Sequence, residues 1–254
     1  MHIYLSVIIF FVGLVLASFF NALLYRIDNG YKYPDIFIRG SHCEKCGKRL
    51  SWYELIPILS FFIFLGKCKQ CGYRVPVYYP LSELVLGLSL CSIYYLSLPW
   101  PLYILVIFLF ALSYFDRIYK EVPQSIVHSL LIFSFISFVI LTVLNGGLIE
   151  NSILLASFFS LFVYILSKVM KKEFGMGDIL VLFSFGFLLS NSQFISLLYI
   201  FLILSLLYSF TLILLKKATL KTAIPLLPIM YISFFLMVIF NSEVEIILEK
   251  ISLI

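Results

Sequence analysis

Charge is what this sequence has least of. Only 12% of its 254 residues are charged, while 63% are hydrophobic. An ordinary soluble domain has about 25% and about 45–50% respectively. So few charges cannot clothe a water-soluble protein of this length, which excludes a soluble enzyme, a secreted disulfide scaffold and a disordered chain. No GxGxxG unit is present, so nothing supports a Rossmann-type nucleotide fold. Nor do the basic residues cluster. The net charge is +5, but Lys and Arg are scattered over connections, the pattern that sets membrane topology, and no nucleic-acid partner is expected. What remains is an all-α polytopic membrane protein solvated mainly by lipid.

About twenty mostly apolar residues span a bilayer as a helix. Eight segments qualify as candidates, at 3–25, 78–97, 100–115, 126–144, 149–167, 178–191, 194–215 and 223–241. The third and sixth are short and need flanking residues to cross. The first has no Lys or Arg ahead of it and is longer than a signal-peptide core, so it reads as a retained helix. Seventeen of the 18 Lys and Arg fall in the odd-to-even connections, and the turns around Leu98, Gly146 and Asn191 hold none. The positive-inside rule then places the odd-to-even loops in the cytoplasm and both termini outside. Three divisions are expected: a first transmembrane helix (1–25), a cytoplasmic module (26–79) and a polytopic membrane domain (80–254). Leu55–Leu65 is apolar but too short to cross. It is either the core of the module or a segment lying on the membrane surface.

Within the module stand Cys43-Glu-Lys-Cys46 and Cys68-Lys-Gln-Cys71, each followed by glycine, Gly47 and Gly72. Two such turns can present four thiolates to one Zn²⁺ as a closed tetrahedral shell, which stabilises a fold and leaves no open position for chemistry. Cytoplasmic placement argues against stable disulfides. Beyond these two pairs no internal repeat is evident. Cys91, alone in an apolar run, reads as a small buried hydrophobe.

Acidic residues at helix ends inside a membrane domain suggest function by default, because ionisable groups are costly there. Asp116 ends the third candidate helix and Asp178 opens the sixth. Two helices lie between them, so the chain returns to the same side and both carboxyls can sit at one depth. Such a pair can share a proton, one member activating water while the other polarises a carbonyl. Gly175 and Gly177 precede Asp178 and remove side chains, which lets a substrate backbone approach. The simpler reading makes Asp178 a helix N-terminal acid and pairs Asp116 with Arg117 or Lys120. Glu83 either caps the second helix or reaches a polar site in the bundle.

These residues, taken in order, resemble the type IV prepilin leader peptidases, intramembrane aspartic proteases of the GxGD type. The resemblance runs through Gly13, Ser18-Phe19-x-Asn21 and Arg26, and then Arg39-x-Ser41-x-Cys43-x-x-Cys46. It continues through Leu50-x-Trp52, Ile56-Pro57, Ser60-Phe61, Gly66-x-Cys68-x-x-Cys71 and Tyr79-Pro80-x-x-Glu83, to Asp116, Pro123 and Gly175-x-Gly177-Asp178. It implies cleavage of the basic leader from prepilin- or pseudopilin-like precursors after a glycine on the cytoplasmic face, with Asp116 and Asp178 as the catalytic pair. It also implies methylation of the new N-terminus from S-adenosylmethionine. The chain departs from the family at Leu180, where GxGDxK has lysine, at Tyr78, and at Leu226-Leu227 of Ile-Pro-Leu-Leu-Pro. The residues leave two alternatives open, a non-catalytic zinc-stabilised scaffold and a small proton-coupled transporter.

Overall fold

The computed structural model describes residues 2–146, 151–169, 175–216 and 224–252. Glu150, Lys171, Lys172, Glu173, Lys217 and Lys221 lie outside them. Among the described residues every regular element is a helix: α1 His2–Asp28, α2 Asp35–Ile38, α3 Leu59–Ile63, α4 Tyr78–Tyr95, α5 Pro101–Tyr119, α6 Gln124–Leu144, α7 Ile153–Val169, α8 Met176–Phe185, α9 Asn191–Leu214 and α10 Leu227–Ser252, with a 3₁₀ turn at Trp52–Leu55. Each of the eight apolar segments holds a helix among its described residues, and the protein is a multi-pass membrane protein. Four of the helices, α1, α5, α6 and α9, are each long and apolar enough to cross a bilayer. The sixth segment is shorter than the sequence suggests. Helix α8 has ten residues, about 15 Å of rise, and the chain turns through Gly186–Ser190 before α9.

The chain forms two compact units, Met1–Leu98 and Pro99–Ile254. In the first, α1 packs along α4. Their backbones meet at two glycines: a Cβ on Gly13 would lie 2.7 Å from the Cα of Gly87, and one on Gly87 would lie 2.8 Å from Leu14 Cδ2. Small residues let membrane helices approach this closely and gain dispersion contacts that lipid cannot replace. A buried hydrogen bond from Asn21 Nδ2 to Ser82 Oγ, 2.9 Å long, joins the same helices. Between α1 and α4 runs the four-cysteine module. Leu59, Phe62, Ile63 and Leu65 are exposed on and after α3, so its short apolar stretch presents one greasy side outward, while Phe61 and Phe64 line a cavity within the unit.

In the second unit α5 is the most enclosed of the four long spans. Its buried positions, among them Leu102, Leu105, Leu109, Leu112 and Asp116, recur at helical spacing. It packs on α6 and α10, and α8 packs on α6 and α7. Pro101 opens α5 at a position where its missing N–H costs nothing. Lys120, in the left-handed region at φ 56, closes it. Helix α9 begins at a capping box, in which the Gln193 amide N–H donates to Ser190 Oγ and the Ser190 N–H to Gln193 Oε1. Helix α9 packs on α10 and buries Phe194 and Leu197 near its start, while Tyr199, Leu202, Ile203, Leu206, Leu207 and Phe210 are exposed, as on a helix that faces lipid.

Candidate active site and candidate metal centre

Asp116 lies three residues before the end of α5 and is buried, at 6% exposure. Its Oδ2 accepts the backbone N–H of Leu227, the first residue of α10, at 2.8 Å. The Leu226 N–H is a second donor to the carboxylate. A helix begins with amides that have no partner inside the helix, and here the start of α10 supplies them to Asp116. Ser113, one turn earlier on α5 and also buried, donates through Oγ to the Leu227 carbonyl at 3.2 Å. The N–H and the carbonyl of Leu227 are therefore both held by α5. An amide can only donate, so Oδ2 of Asp116 accepts, and a shared proton or a water is left to the lone pairs that the two amides do not take.

Asp178 is the third residue of α8, in its first turn, and half-buried. Its carboxylate is close enough to Asp116 for the two charges to interact. A Cβ on Gly175 would lie 3.1 Å from Asp178 Oδ2, so a side chain there would crowd the carboxylate. Gly177 is buried, and a Cβ built on it would overlap Val122 Cγ2 and lie 3.7 Å from Val127 Cγ2. The lack of a side chain at 177 seats the start of α8 against the connection that follows α5. The sequence reading missed the part played by Ile224–Pro228, noted only as a departure from a family pattern. Its signal was a proline-bounded helix start, whose free amides need acceptors.

The four cysteines converge in the first unit. Their Sγ atoms all lie within 4.8 Å of one another, with Cys43–Cys71 at 3.8 Å and Cys46–Cys68 at 4.0 Å. Sulfurs held about 2.3 Å from a central zinc are about 3.8 Å apart, so the donor set and its spacing fit a tetrahedral thiolate site. Two matching turns build it. The Cys43 N–H bonds the Lys48 carbonyl and the Cys68 N–H the Tyr73 carbonyl, both at 2.9 Å; the Gly47 and Gly72 N–H groups bond Cys43 and Cys68, again at 2.9 Å. Gly47 and Gly72 sit at φ 70 and 67, the left-handed region where glycine is unstrained. The correspondence extends outward to bridges His42–Arg49 and Lys67–Arg74. A ten-residue repeat, 41–50 and 66–75, thus surrounds the cysteine pairs. Without metal the thiols are unequal. The backbone amides of Cys71 and Gln70 push Cys68 down to about 6. At Cys71 the Tyr73 amide is outweighed by desolvation and the neighbouring thiols, and its thiol is pushed up to about 11.

Glu83 is not a helix cap. It lies beyond the first turn of α4, is buried, and through Oε2 accepts the Ile58 N–H at 2.8 Å. That contact holds Ile58 at φ 61, a rare conformation for a β-branched residue.

Residues 11–97 match the family model of the bacterial peptidase A24 N-terminal domain. The chain is 35% identical over 103 residues to a prepilin leader peptidase/N-methyltransferase of Vibrio cholerae, covering 38% of this chain and 41% of that protein. It is 44% identical over 78 residues to the Bacillus subtilis protein of the same name, covering 31% and 30%. It is 28% identical over 203 residues to that of Dichelobacter nodosus, covering 66% and 70%. The chain thus spans less than half the length of the first two relatives. No solved structure matches it.

Proposed function

Because this chain belongs to the prepilin leader peptidase family, we propose that it is a membrane-embedded aspartic endopeptidase that removes the leader of prepilin-like precursors. The observation that carries this reading is the pairing of a buried Asp116, braced by the first amides of α10, with Asp178 within reach of its charge. A scaffold has no use for such a pair. In the proposed reaction one carboxylate takes a proton from water, and its protonated partner donates to the scissile carbonyl. The bonds to Leu226 and Leu227 fix the plane of the Asp116 carboxylate. Gly175 leaves room beside Asp178.

Cleavage after a glycine on the cytoplasmic side follows from the same reading. So do the placement of the odd-to-even loops in the cytoplasm, and the division into a first helix, a loop module and a membrane domain. Cys43, Cys46, Cys68 and Cys71 would hold one structural Zn²⁺, whose binding energy is folding energy for the module. Methylation of the new N-terminus is the second proposed activity, and S-adenosylmethionine supplies the methyl group when bound.

The test is leader removal by purified Asp116→Asn and Asp178→Asn. Each is expected to lose about 10²–10⁴-fold in rate, the scale of an acid–base contribution, with helix content unchanged. Near wild-type cleavage by either variant would overturn the pairing.

A further inference from the structure

A cavity of about 210 Å³ lies within the first unit, between α1, α4 and the cysteine module. Whole drug-sized ligands fill about 300–1,000 Å³, so this space suits one arm of a larger molecule. Its lining is unusual for a membrane protein in holding two buried opposite charges that do not pair. Arg26 of α1 and Glu83 of α4 are each 7% exposed. Among the described residues the one ion pair is Lys48–Glu54. Arg26 donates through Nη1 only to the Ile36 carbonyl at 2.7 Å. Glu83 is bonded by the Ile58 N–H and the Ser18 hydroxyl, both neutral donors. Asn21, 2% exposed, lines the same cavity, and its Oδ1 has no hydrogen-bond partner. The remaining charges on the wall are more exposed or engaged: Glu54 with Lys48, and Glu44 with the Tyr79 and Tyr73 hydroxyls. Tyr25, Phe61 and Phe64 add aromatic wall.

A buried charge without a partner is strongly disfavoured, and two of opposite sign around one cavity call for a ligand that carries both complements. A carboxylate matches the forked donors of Arg26. An ammonium matches Glu83, with the free Asn21 Oδ1 as a further acceptor and aromatic faces nearby. We propose that this cavity binds a zwitterionic α-amino-acid group, with Arg26 on its carboxylate and Glu83 on its ammonium, and that the group is the methionyl arm of the methyl donor. This rests on the methyl-transfer half of the proposed function. It names a site where that donor docks, in the unit that does not contain Asp116 and Asp178.

The test uses the full chain, purified and zinc-loaded, with S-adenosylhomocysteine as an unreactive probe in calorimetric titration. Wild type is expected to bind it, and to bind 5′-methylthioadenosine, which lacks the amino-acid arm, at least tenfold more weakly. Arg26→Gln and Glu83→Gln should each weaken S-adenosylhomocysteine at least tenfold. The decarboxylated analogue should bind wild type and Arg26→Gln alike, because the group that Arg26 contacts is already gone. The ligand comparison in wild type needs no variant to fold. Equal binding of methylthioadenosine and S-adenosylhomocysteine would overturn the proposal. So would equal loss of both the probe and its decarboxylated analogue in Arg26→Gln. Displacement of the probe by glycerophosphoethanolamine at equal concentration would assign the cavity to a lipid headgroup instead. Leader cleavage is read on the same wild-type preparation. Cleavage without probe binding sinks the cavity assignment and spares the peptidase, and binding without cleavage does the reverse.

Discussion

The Leu227 amide donates to the Asp116 carboxylate at 2.8 Å across 111 residues of sequence, so the geometry of one proposed catalytic oxygen is set by the start of the last helix. Ser113 Oγ holds the carbonyl of the same residue. Ser113→Ala removes that hold, a hydrogen bond worth about 0.5–1.5 kcal/mol net. The expected outcome is a severalfold fall in kcat with KM unchanged, because Ser113 positions the carboxylate and does not meet the substrate. Ser113→Thr, which keeps the hydroxyl, should recover most of the rate. Steady-state kinetics on a precursor peptide check both.

Gly177 makes a second, steric demand on the same site. A methyl group there would overlap Val122, so Gly177→Ala must push α8, and Asp178 with it, off its seat. Overpacking of this kind costs about 1–3 kcal/mol. Leader cleavage by Gly177→Ala should fall sharply. Adding Val122→Ala, which removes the colliding methyl, should restore part of it. Additive losses in the double variant would show that Gly177 serves something other than this contact.

How much of this was legible beforehand differs by residue. The apolar runs announced eight helices because lipid demands long uncharged segments, whatever the tertiary fold. The cysteine pairs announced their cluster because a short local turn builds each half. The ten-residue repeat around them escaped notice, since outside Cys-x-x-Cys-Gly it is carried by backbone bonds such as Leu50 to Ser41 and Val75 to Gly66, which tolerate different side chains. Gly13 carried no visible reason in sequence, because its partner Gly87 lies on another helix. The Leu226 and Leu227 contribution was illegible for the same cause and one more: the groups involved are main-chain amides, which every residue but proline possesses. In sequence Arg26 was one more basic residue of the first connection and Glu83 left a cap and a polar site both open, until the fold set the two on one cavity.

The cysteine module offers a metal-dependent readout. The full chain is expected to hold one zinc per molecule by elemental analysis, and Cys43→Ser or Cys71→Ser should lose it. Chelation should weaken, without abolishing, hydrogen-exchange protection over residues 41–75 and leave protection in α5, α6 and α10 unchanged, since the metal's binding energy is local folding energy. In the metal-free protein Cys68 is pushed down to about 6. Above that pH its thiolate is the populated form, so Cys68 should be alkylated fastest of the four at pH 7. Its rate should fall as the pH drops below about 6 and the thiol reprotonates. Peptide mass spectrometry after a brief iodoacetamide pulse measures this. Faster labelling of Cys71 would show that the Cys71 and Gln70 amides do not hold the thiolate.

Helix α6 supplies the orientation test. Its 21 residues, Gln124–Leu144, rise about 32 Å, close to the about 30 Å of a bilayer's hydrocarbon. Its two ends must therefore meet water on opposite sides. The N-terminal end follows α5 by only four residues, Lys120–Pro123, so it reports the side on which Asp116 opens. That connection carries Lys120, whereas the Asn145 turn is free of Lys and Arg, and the positive-inside rule puts the first in the cytoplasm. With Cys91 replaced by serine, Gln124→Cys should react with an impermeant maleimide only in inverted vesicles, and Asn145→Cys only in intact cells, as resolved peptide by peptide. The consequence is mechanistic. A precursor held with its apolar helix in the bilayer and its basic leader in the cytoplasm brings its scissile bond to the depth of the two aspartates only in that orientation. Labelling of Gln124→Cys from outside would place the aspartates on the wrong face and overturn leader cleavage there.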